Sequence, residues 1–149
     1  YYIRFLHLPF PQSEPEDVEI LYNKAKNVVA EVDGMKLSLA ITNLIENGIK
    51  YNSENGKVTV IVDADHQNAF ITVSDTGIGI PEEELNKIFE RFYRVDKNRD
   101  RQTGGTGLGL AITRSAVLMH NGAIKVTSKE NEGTTFVIRI PLKQKKISA

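Results

Sequence analysis

The chain has no cysteine. That excludes a disulfide framework and a thiolate zinc site. The formal net charge is +0, so the basic surplus of a general nucleic-acid binder is missing. No apolar run approaches the ~18–20 residues of a membrane span. No signal peptide is legible either, because residues 1–10 are short and aromatic and hold both Arg4 and His7. There is no initiator methionine, so the sequence reads as a piece of something longer, from which targeting information can be missing.

What is there is globular. The 149 residues suffice for one domain with a real core, and 40% hydrophobic with 26% charged residues are ordinary values for one. The expected organisation is a single domain over 1–149, with a core at 33–142, an N-terminal strand and helix extension at 1–32 and a basic, solvated tail at 143–149. In the extension, residues 1–8 suggest an edge strand ended by Pro9 and Pro11. Residues 13–27 suggest a helix, with Ser13 as cap, Pro15 in the first turn and acids near the positive end of the dipole. A short strand follows at 28–32, and Asp33-Gly34 makes a turn.

Residues 37–52 read as a helix. At about 100° per residue, Leu37, Ile41, Leu44, Ile45 and Gly48 share one side, while Asn43, Asn47 and Lys50 fall within roughly 60° of one another on the other. A solvated face would usually carry Glu, Lys, Gln or Arg, since Asn competes for the backbone. Two incidental Asn on a wet face remain the plain alternative. Two amides and an ammonium one or two turns apart also suit carbonyl oxygens for a hard cation and a positive charge for a phosphate.

Alternation then predicts strands at 57–63, with Val58, Val60 and Val62 inward, and at 69–74, delivering Asp75 at the end. Asp75-Thr76-Gly77-Ile78-Gly79-Ile80-Pro81 follows, with two glycines that let backbone approach a ligand closely. Pro81 opens an acid-rich helix to about Phe89. Residues 95–103 are polar and aperiodic, a mobile loop. They run into a glycine-rich segment, Gly104 to Leu110, and a helix to about His120 with Leu110, Ile112 or Ala111, Ala116 and Val117 inward. Asn121-Gly122 stops it. Strands at 124–129 and 134–140 close the domain around a turn at Asn131-Glu132-Gly133. The sum is α+β: a mixed, mostly antiparallel sheet with helices on one face.

Three features belong together: the Asn/Asn/Lys face, an Asp at a strand end before Gly-x-Gly, and a glycine-rich entry to a helix N-terminus, which is an anion site by construction. Asp75 can accept from an amino group such as adenine N6. Asn47 and Asn43 can hold Mg²⁺, which keeps few protein oxygens beside phosphates and waters. The set describes a site for Mg²⁺ and a nucleoside triphosphate. There is no Gly-Lys-Ser/Thr for a P-loop. Gly105-Thr106-Gly107-Leu108-Gly109 lacks the Rossmann spacing, and the His-Arg-Asp and Asp-Phe-Gly of eukaryotic-type protein kinases are absent. Each glycine pair taken alone is most simply a turn.

In combination these segments resemble the bacterial sensor histidine kinases. Asn43-Leu-Ile-Glu-Asn47-Gly-Ile-Lys50-Tyr-Asn is similar to their N box, Asp75-Thr-Gly77-Ile-Gly79 to the G1 box, Ile88-Phe89-Glu-Arg-Phe92-Tyr-Arg94 to the F box, and Gly105-Thr-Gly107-Leu-Gly109-Leu to the G2 box. Their order and spacing are the family's, over residues 33–142. The resemblance implies the ATP-binding catalytic domain with the Bergerat (GHKL) sandwich, a mixed sheet with about three helices on one face. The Phe92 to Gly105 segment is most similar to the phosphate-sensing type, whose partners are response regulators with winged-helix output domains.

The resemblance also implies roles. Asn47 binds Mg²⁺, with Asn43 supporting it or a phosphate. Lys50 and Arg94 contact phosphates, and with Asn43 they are the candidate catalytic residues. Tyr51 stacks near the adenine, and Asp75 accepts from its N6 with Thr134 alongside. Gly77, Gly79 and Ile80 shape the base site, the two glycines giving the base room. Gly105, Thr106, Gly107, Leu108 and Gly109 cradle the phosphates. Phe89 and Phe92 pack beneath a lid at 95–106, or are plain core aromatics. ATP-hydrolysing relatives of the superfamily (gyrases, MutL proteins, Hsp90-type chaperones) carry a Glu one helical turn before the metal Asn; here that position is Asn43, and an amide does not take a proton from water. Gly48 stands where these kinases usually have Ala, and Asn52 where Thr or Ser is common. Gly48 is read as a close-packing site despite a helix cost of ~1 kcal/mol relative to Ala.

His7, His66 and His120 are the only histidines, none in a phosphoacceptor context; His120 is placed at a helix end, favourable to the dipole. The dimerisation and phosphotransfer helices therefore lie elsewhere in the full protein. That protein is expected to be a membrane-anchored homodimer with this domain cytoplasmic, while the isolated domain is a monomer that does not autophosphorylate. The competing functions are an anti-sigma-factor-type serine kinase, a non-catalytic nucleotide-binding scaffold of the same fold, and an ATPase, which Asn43 opposes.

Overall fold

Valine alternation builds the first inner strand. Val58, Val60 and Val62 are all completely buried on strand β4 (Lys57–Ala64), while Thr59 and Ile61 face the other way, Ile61 being 41% exposed. The computed structural model describes residues 2–4, 18–24, 28–53, 55–93 and 108–144. The same period of two governs β5 (Asn68–Asp75), with Ala69, Ile71 and Val73 inward, and β7 (Gly133–Pro141), with Phe136, Ile138 and Ile140 inward. Together with β2 (Glu19–Lys24) and β6 (Ala123–Lys129) they form a five-stranded sheet in the order β2-β4-β5-β7-β6. β2 runs parallel to β4 and every other pair is antiparallel. A short β1 (Tyr2–Arg4) pairs antiparallel with β3 (Val29–Glu31).

Strand β2 corrects the helix expected over 13–27. Val18, Ile20 and Tyr22 alternate, Val18 buried and the other two packed on the core. That is a strand period, and it outweighs the Pro and acid signals of a helix start. The remainder of the expected helix, 13–17 and 25–27, lies outside the described residues. A parallel β2–β4 pair needs a crossover, and α1 (Gly34–Lys50) supplies it.

Helix α1 starts three residues before the expected 37. Asp33, expected in a turn, is its N-cap, its carboxylate accepting from the Lys36 N–H at 3.1 Å. The helix ends at Lys50, with Tyr51 as C-cap, so Tyr51 and Asn52 are outside it. Its apolar face, Leu37, Ala40, Ile41, Leu44, Ile45, Gly48 and Ile49, is buried on the sheet. Beside it lies α2 (Gly109–Met119). Buried Thr113 ties the two helices through its Oγ, 3.2 Å from Ala40 O and 2.9 Å from Gly109 O. Thr113, Ala116 and Val117 are the buried positions of α2; of the two alternatives expected inward, Ile112 is 43% exposed and Ala111 is half-buried.

The helix expected from Glu82 to Phe89 is not an α-helix. A single 3₁₀ turn (Glu82–Glu84) leads into successive tight turns, with i→i+3 bonds from Glu84 N to Pro81 O, Lys87 N to Glu84 O and Glu90 N to Lys87 O. Leu85 and Ile88 suit a three-residue repeat as well as a helical one, so spacing does not separate the two. Helices α1 and α2 and this turn therefore make up the helical layer among the described residues, and the other sheet face carries the exposed Ile61.

This layering sets the cost of substitutions. Ile71→Ala, on the buried face, should lower unfolding free energy by about 2–5 kcal/mol in urea titrations. Ile61→Thr, at an exposed position on the opposite face, should stay within about 0.5 kcal/mol of the parent.

Candidate functional site

Helix α1 lies directly on the end of the sheet where Asp75 emerges. A Cβ at Gly48 would come 3.0 Å from Val58 Cγ2 and 3.4 Å from Asp75 Cβ. Glycine lets the last turn of α1 sit against the last residue of β5, bearing out the expected close-packing site. Asn47 and Lys50, both half-buried, occupy that turn, and Lys50 Nζ is 5.9 Å from the centre of the Tyr51 ring. Asn43, one turn earlier, donates from Nδ2 to Gly109 O at 3.3 Å. That bond engages its amide nitrogen and brings the polar edge of α1 to the start of α2.

The loop after Asp75 is tied down on two sides. On the α1 side, Ile78 N–H donates to Tyr51 O at 3.0 Å and Thr76 N–H to Lys57 O at 3.1 Å. Buried Asn52 donates to Lys57 O at 3.0 Å and accepts from Ser53 N–H at 2.9 Å, with Thr76 Oγ 3.2 Å from the same oxygen. Asn52, noted in the sequence only as a departure, is thus the post that holds the loop to the helix end. On the other side, the β6–β7 turn reaches over. Asn131 N–H donates to Ile78 O at 2.7 Å, and Ile80 N–H to Ser128 Oγ at 2.7 Å.

Asp75 sits where these pieces meet. Its Oδ1 accepts from Gly77 N–H at 2.9 Å and from Thr134 N–H at 3.2 Å. Oδ2 has no donor among the described residues. Desolvation pushes the carboxyl up from 3.8 to about 6, against the two backbone N–H groups, which pull it down. At pH 7 it remains an acceptor, aimed at whatever occupies the site.

The glycines also serve the local packing of the loop. A Cβ at Gly77 would stand 2.4 Å from Tyr51 O, and one at Gly79, whose φ is +71°, 2.1 Å from Lys129 O. Both positions let backbone pack on backbone.

Residues 32–144, more than half of the chain, match the sequence profile of the histidine kinase-, DNA gyrase B-, and HSP90-like ATPases. The chain belongs to that family. Sensor histidine kinase WalK of Bacillus subtilis is 40% identical over 148 residues, covering 95% of this chain and 24% of that protein; the chain spans about a quarter of that relative's length. A mycobacterial sensor histidine kinase, MprB, superposes with a TM-score of 0.74 at 30% identity, over 87% of this chain and 86% of that one. The catalytic domain of histidine kinase ThkA gives a TM-score of 0.74 at 29% identity, over 85% and 82%. The α+β fold with its mixed sheet is that of histidine kinase catalytic domains, and ATP binding comes with the family.

Of the residues expected in this kinase site, the structure gathers Asn43, Asn47, Lys50, Tyr51, Asp75, Gly77, Gly79, Ile80 and Thr134 along one end of the sheet, with Leu108 and Gly109 at the start of α2. Helix α2 begins with no side-chain cap and no acid in its first turn, which leaves its positive end for an anion. Arg94, Gly105, Thr106 and Gly107 lie outside the described residues, as does the expected lid. The F-box aromatics divide. Phe89 packs edge-to-face on Phe136, ring centres 6.2 Å apart. Phe92 is 69% exposed with φ +64°, so it is not a core residue.

His120 ends α2 as expected, as its C-cap, and is also buried; its Nδ1 is 2.6 Å from Ala116 O and its Nε2 accepts from Asp33 N–H at 2.9 Å. These partners select the neutral Nδ1–H tautomer. Ser128, Asn131 and Gly133 were missed as site residues. Their segment carries only turn chemistry, and its contacts to Asp75 and Ile80 join residues about fifty positions apart.

The raised Asp75 value has a consequence for stability. Between about pH 4 and pH 6 the folded chain keeps a proton that the unfolded chain has lost, so this group's contribution falls as pH rises through that window. Denaturation midpoints measured from pH 4 to pH 7 should show the parent losing about 1–3 kcal/mol relative to Asp75→Asn.

Proposed function

We propose that this chain is the catalytic domain of a sensor histidine kinase, binding ATP with Mg²⁺ and passing the γ-phosphoryl group to a histidine on a separate dimerisation domain. The observation that carries it is Asp75: a desolvated carboxylate with Oδ1 held by two backbone N–H groups and Oδ2 left as an acceptor for the adenine amino group.

The rest of the site fits the polyphosphate. Lys50 supplies a cation at the end of α1, and the uncapped start of α2 supplies backbone N–H groups and a dipole. The donor set also suits a hard cation: Asn47 is half-buried, and Asn43, with Nδ2 engaged by Gly109 O, has its amide oxygen left to offer. Mg²⁺ bound by Asn47 would neutralise phosphate charge while keeping waters of its own. Arg94 and the segment Gly105-Thr106-Gly107 are assigned to the phosphates by the family resemblance.

Chemistry in such a site is positioning and charge neutralisation. Asn43 has no basic lone pair with which to activate water, so ATP should persist until an acceptor side chain arrives. None of the described histidines provides one: His120 is buried with both nitrogens engaged, and His66 is exposed in the β4–β5 turn, away from the sheet end that holds Asp75. This function requires an acceptor domain and a response regulator; the family resemblance adds a homodimeric, membrane-anchored full-length protein and a regulator of the winged-helix class. Among the described residues no helix is long and apolar enough to cross a membrane.

Calorimetric titration of ATP with and without Mg²⁺ tests the site. The parent should bind in the micromolar range with Mg²⁺ assistance. Asn47→Ala should lose the Mg²⁺ dependence, and Asp75→Asn should bind at least tenfold more weakly, the equivalent of about 1.4 kcal/mol. No detectable binding by the parent would sink the catalytic function. ATP hydrolysis by the isolated chain at rates typical of an ATPase would contradict the role given to Asn43.

A further inference from the structure

Three hydrogen bonds meet on one hydroxyl beside Asp75. Ser128 Oγ donates to Gly133 O at 2.9 Å, accepts from Ile80 N–H at 2.7 Å, and lies 2.8 Å from Thr134 Oγ. A hydroxyl has one proton and two lone pairs. The proton goes to the Gly133 carbonyl, which can only accept. One lone pair takes the Ile80 N–H, which can only donate. A lone pair is all that remains, so in the third bond Thr134 is the donor.

Thr134 has thereby committed its own proton. It is buried, and its backbone N–H is on Asp75 Oδ1, so the two side chains lie next to each other at the end of the sheet. The free capacity of both is acceptor capacity: Asp75 Oδ2 and the Thr134 lone pairs. Such an edge matches a 6-amino group, which brings two N–H donors. It opposes a 6-oxo group, which brings lone pairs against lone pairs.

We propose that Ser128 is a positioning residue for base selection: by holding the Thr134 proton it keeps this edge acceptor-only, favouring 6-amino over 6-oxo purine nucleotides. The assignment rests on the nucleotide-binding function proposed above. Without Ser128, the Thr134 hydroxyl is free to rotate and donate to a 6-oxo oxygen. The residue does not touch the base and acts through Thr134.

The test compares ATP with inosine triphosphate, which replaces the 6-amino group by oxygen and adds a proton at N1. Dissociation constants are measured by calorimetry with Mg²⁺ for the parent, Ser128→Ala, Thr134→Val and the double variant. Ser128→Ala should reduce the preference for ATP about tenfold, the worth of one net hydrogen bond. Ser128→Thr should restore it. In the Thr134→Val background Ser128→Ala should change the preference no further, a non-additivity that general loosening of the turn would not produce. An unchanged preference in a folded Ser128→Ala chain overturns the assignment, as does an equal loss with Thr134 already removed. If Ser128→Ala does not fold, Ser128→Cys, similar in size with a weakly bonding thiol, must shift the preference in the same direction or the assignment falls. A parent that binds neither nucleotide overturns the proposed function itself. A parent that binds both equally overturns only the part given to Ser128.

Discussion

One half-desolvated carboxylate holds the working end of the molecule together. Asp75 is the last residue of a central strand, and its Oδ1 takes backbone protons from two segments nearly sixty residues apart, Gly77 in the loop it begins and Thr134 in the strand beside it. Each neighbour then fixes something else. The loop hangs on Tyr51 at the end of α1, and the turn before β7 hangs on the loop through Asn131 and Ser128. Helix, loop and hairpin meet at this end through these polar bonds. Partly buried bonds of this kind are electrostatically stronger than the same bonds in water.

That arrangement has an energetic cost and a chemical use. Burying the carboxyl makes its charged form unfavourable, which is why it titrates near 6. The two backbone bonds recover part of the cost but satisfy one oxygen. The other oxygen, without a donor among the described residues, gains most from a ligand that brings its own N–H. Strain of this kind at a binding site is the expected trade between stability and function. The glycines around it are part of the same economy of space. Gly133, at φ +119°, has the backbone O of Asp75 only 1.9 Å from where a Cβ would stand, so the hairpin can approach the Asp75 backbone only without a side chain there.

Much of this could be read in advance where the physics is local. The valines of β4, the alternation of β5 and β7 and the apolar face of α1 are periodic, and each period appears in the structure as written. The polar stripe of Asn43, Asn47 and Lys50 was visible because it is helical in spacing and wrong in composition for a wet face. The errors fell where local signals compete. Acids and a proline before Val18 look like a helix start, yet Val18, Ile20 and Tyr22 sit in a parallel strand whose partner lies beyond α1. The acid-rich run after Pro81 has apolar spacing that a chain of tight turns satisfies equally well.

Sequence by itself determined most of the elements, their inward faces and the residue types that can meet a Mg²⁺–nucleotide, because periodicity, caps and side-chain chemistry are set by residues close along the chain. Only the tertiary structure decided which groups share the Asp75 carboxylate, that Gly77 and Gly79 serve backbone packing, that His120 is a buried neutral clasp between α2 and the start of α1, and that Ser128 controls the proton of Thr134. Each of these involves segments far apart in sequence, and several rest on hydrogen bonds across some fifty to ninety residues. A bond of that kind has no period and leaves no mark on its neighbours. It comes into being when the hydrophobic faces have packed and the leftover polar groups must find partners at the distances that remain.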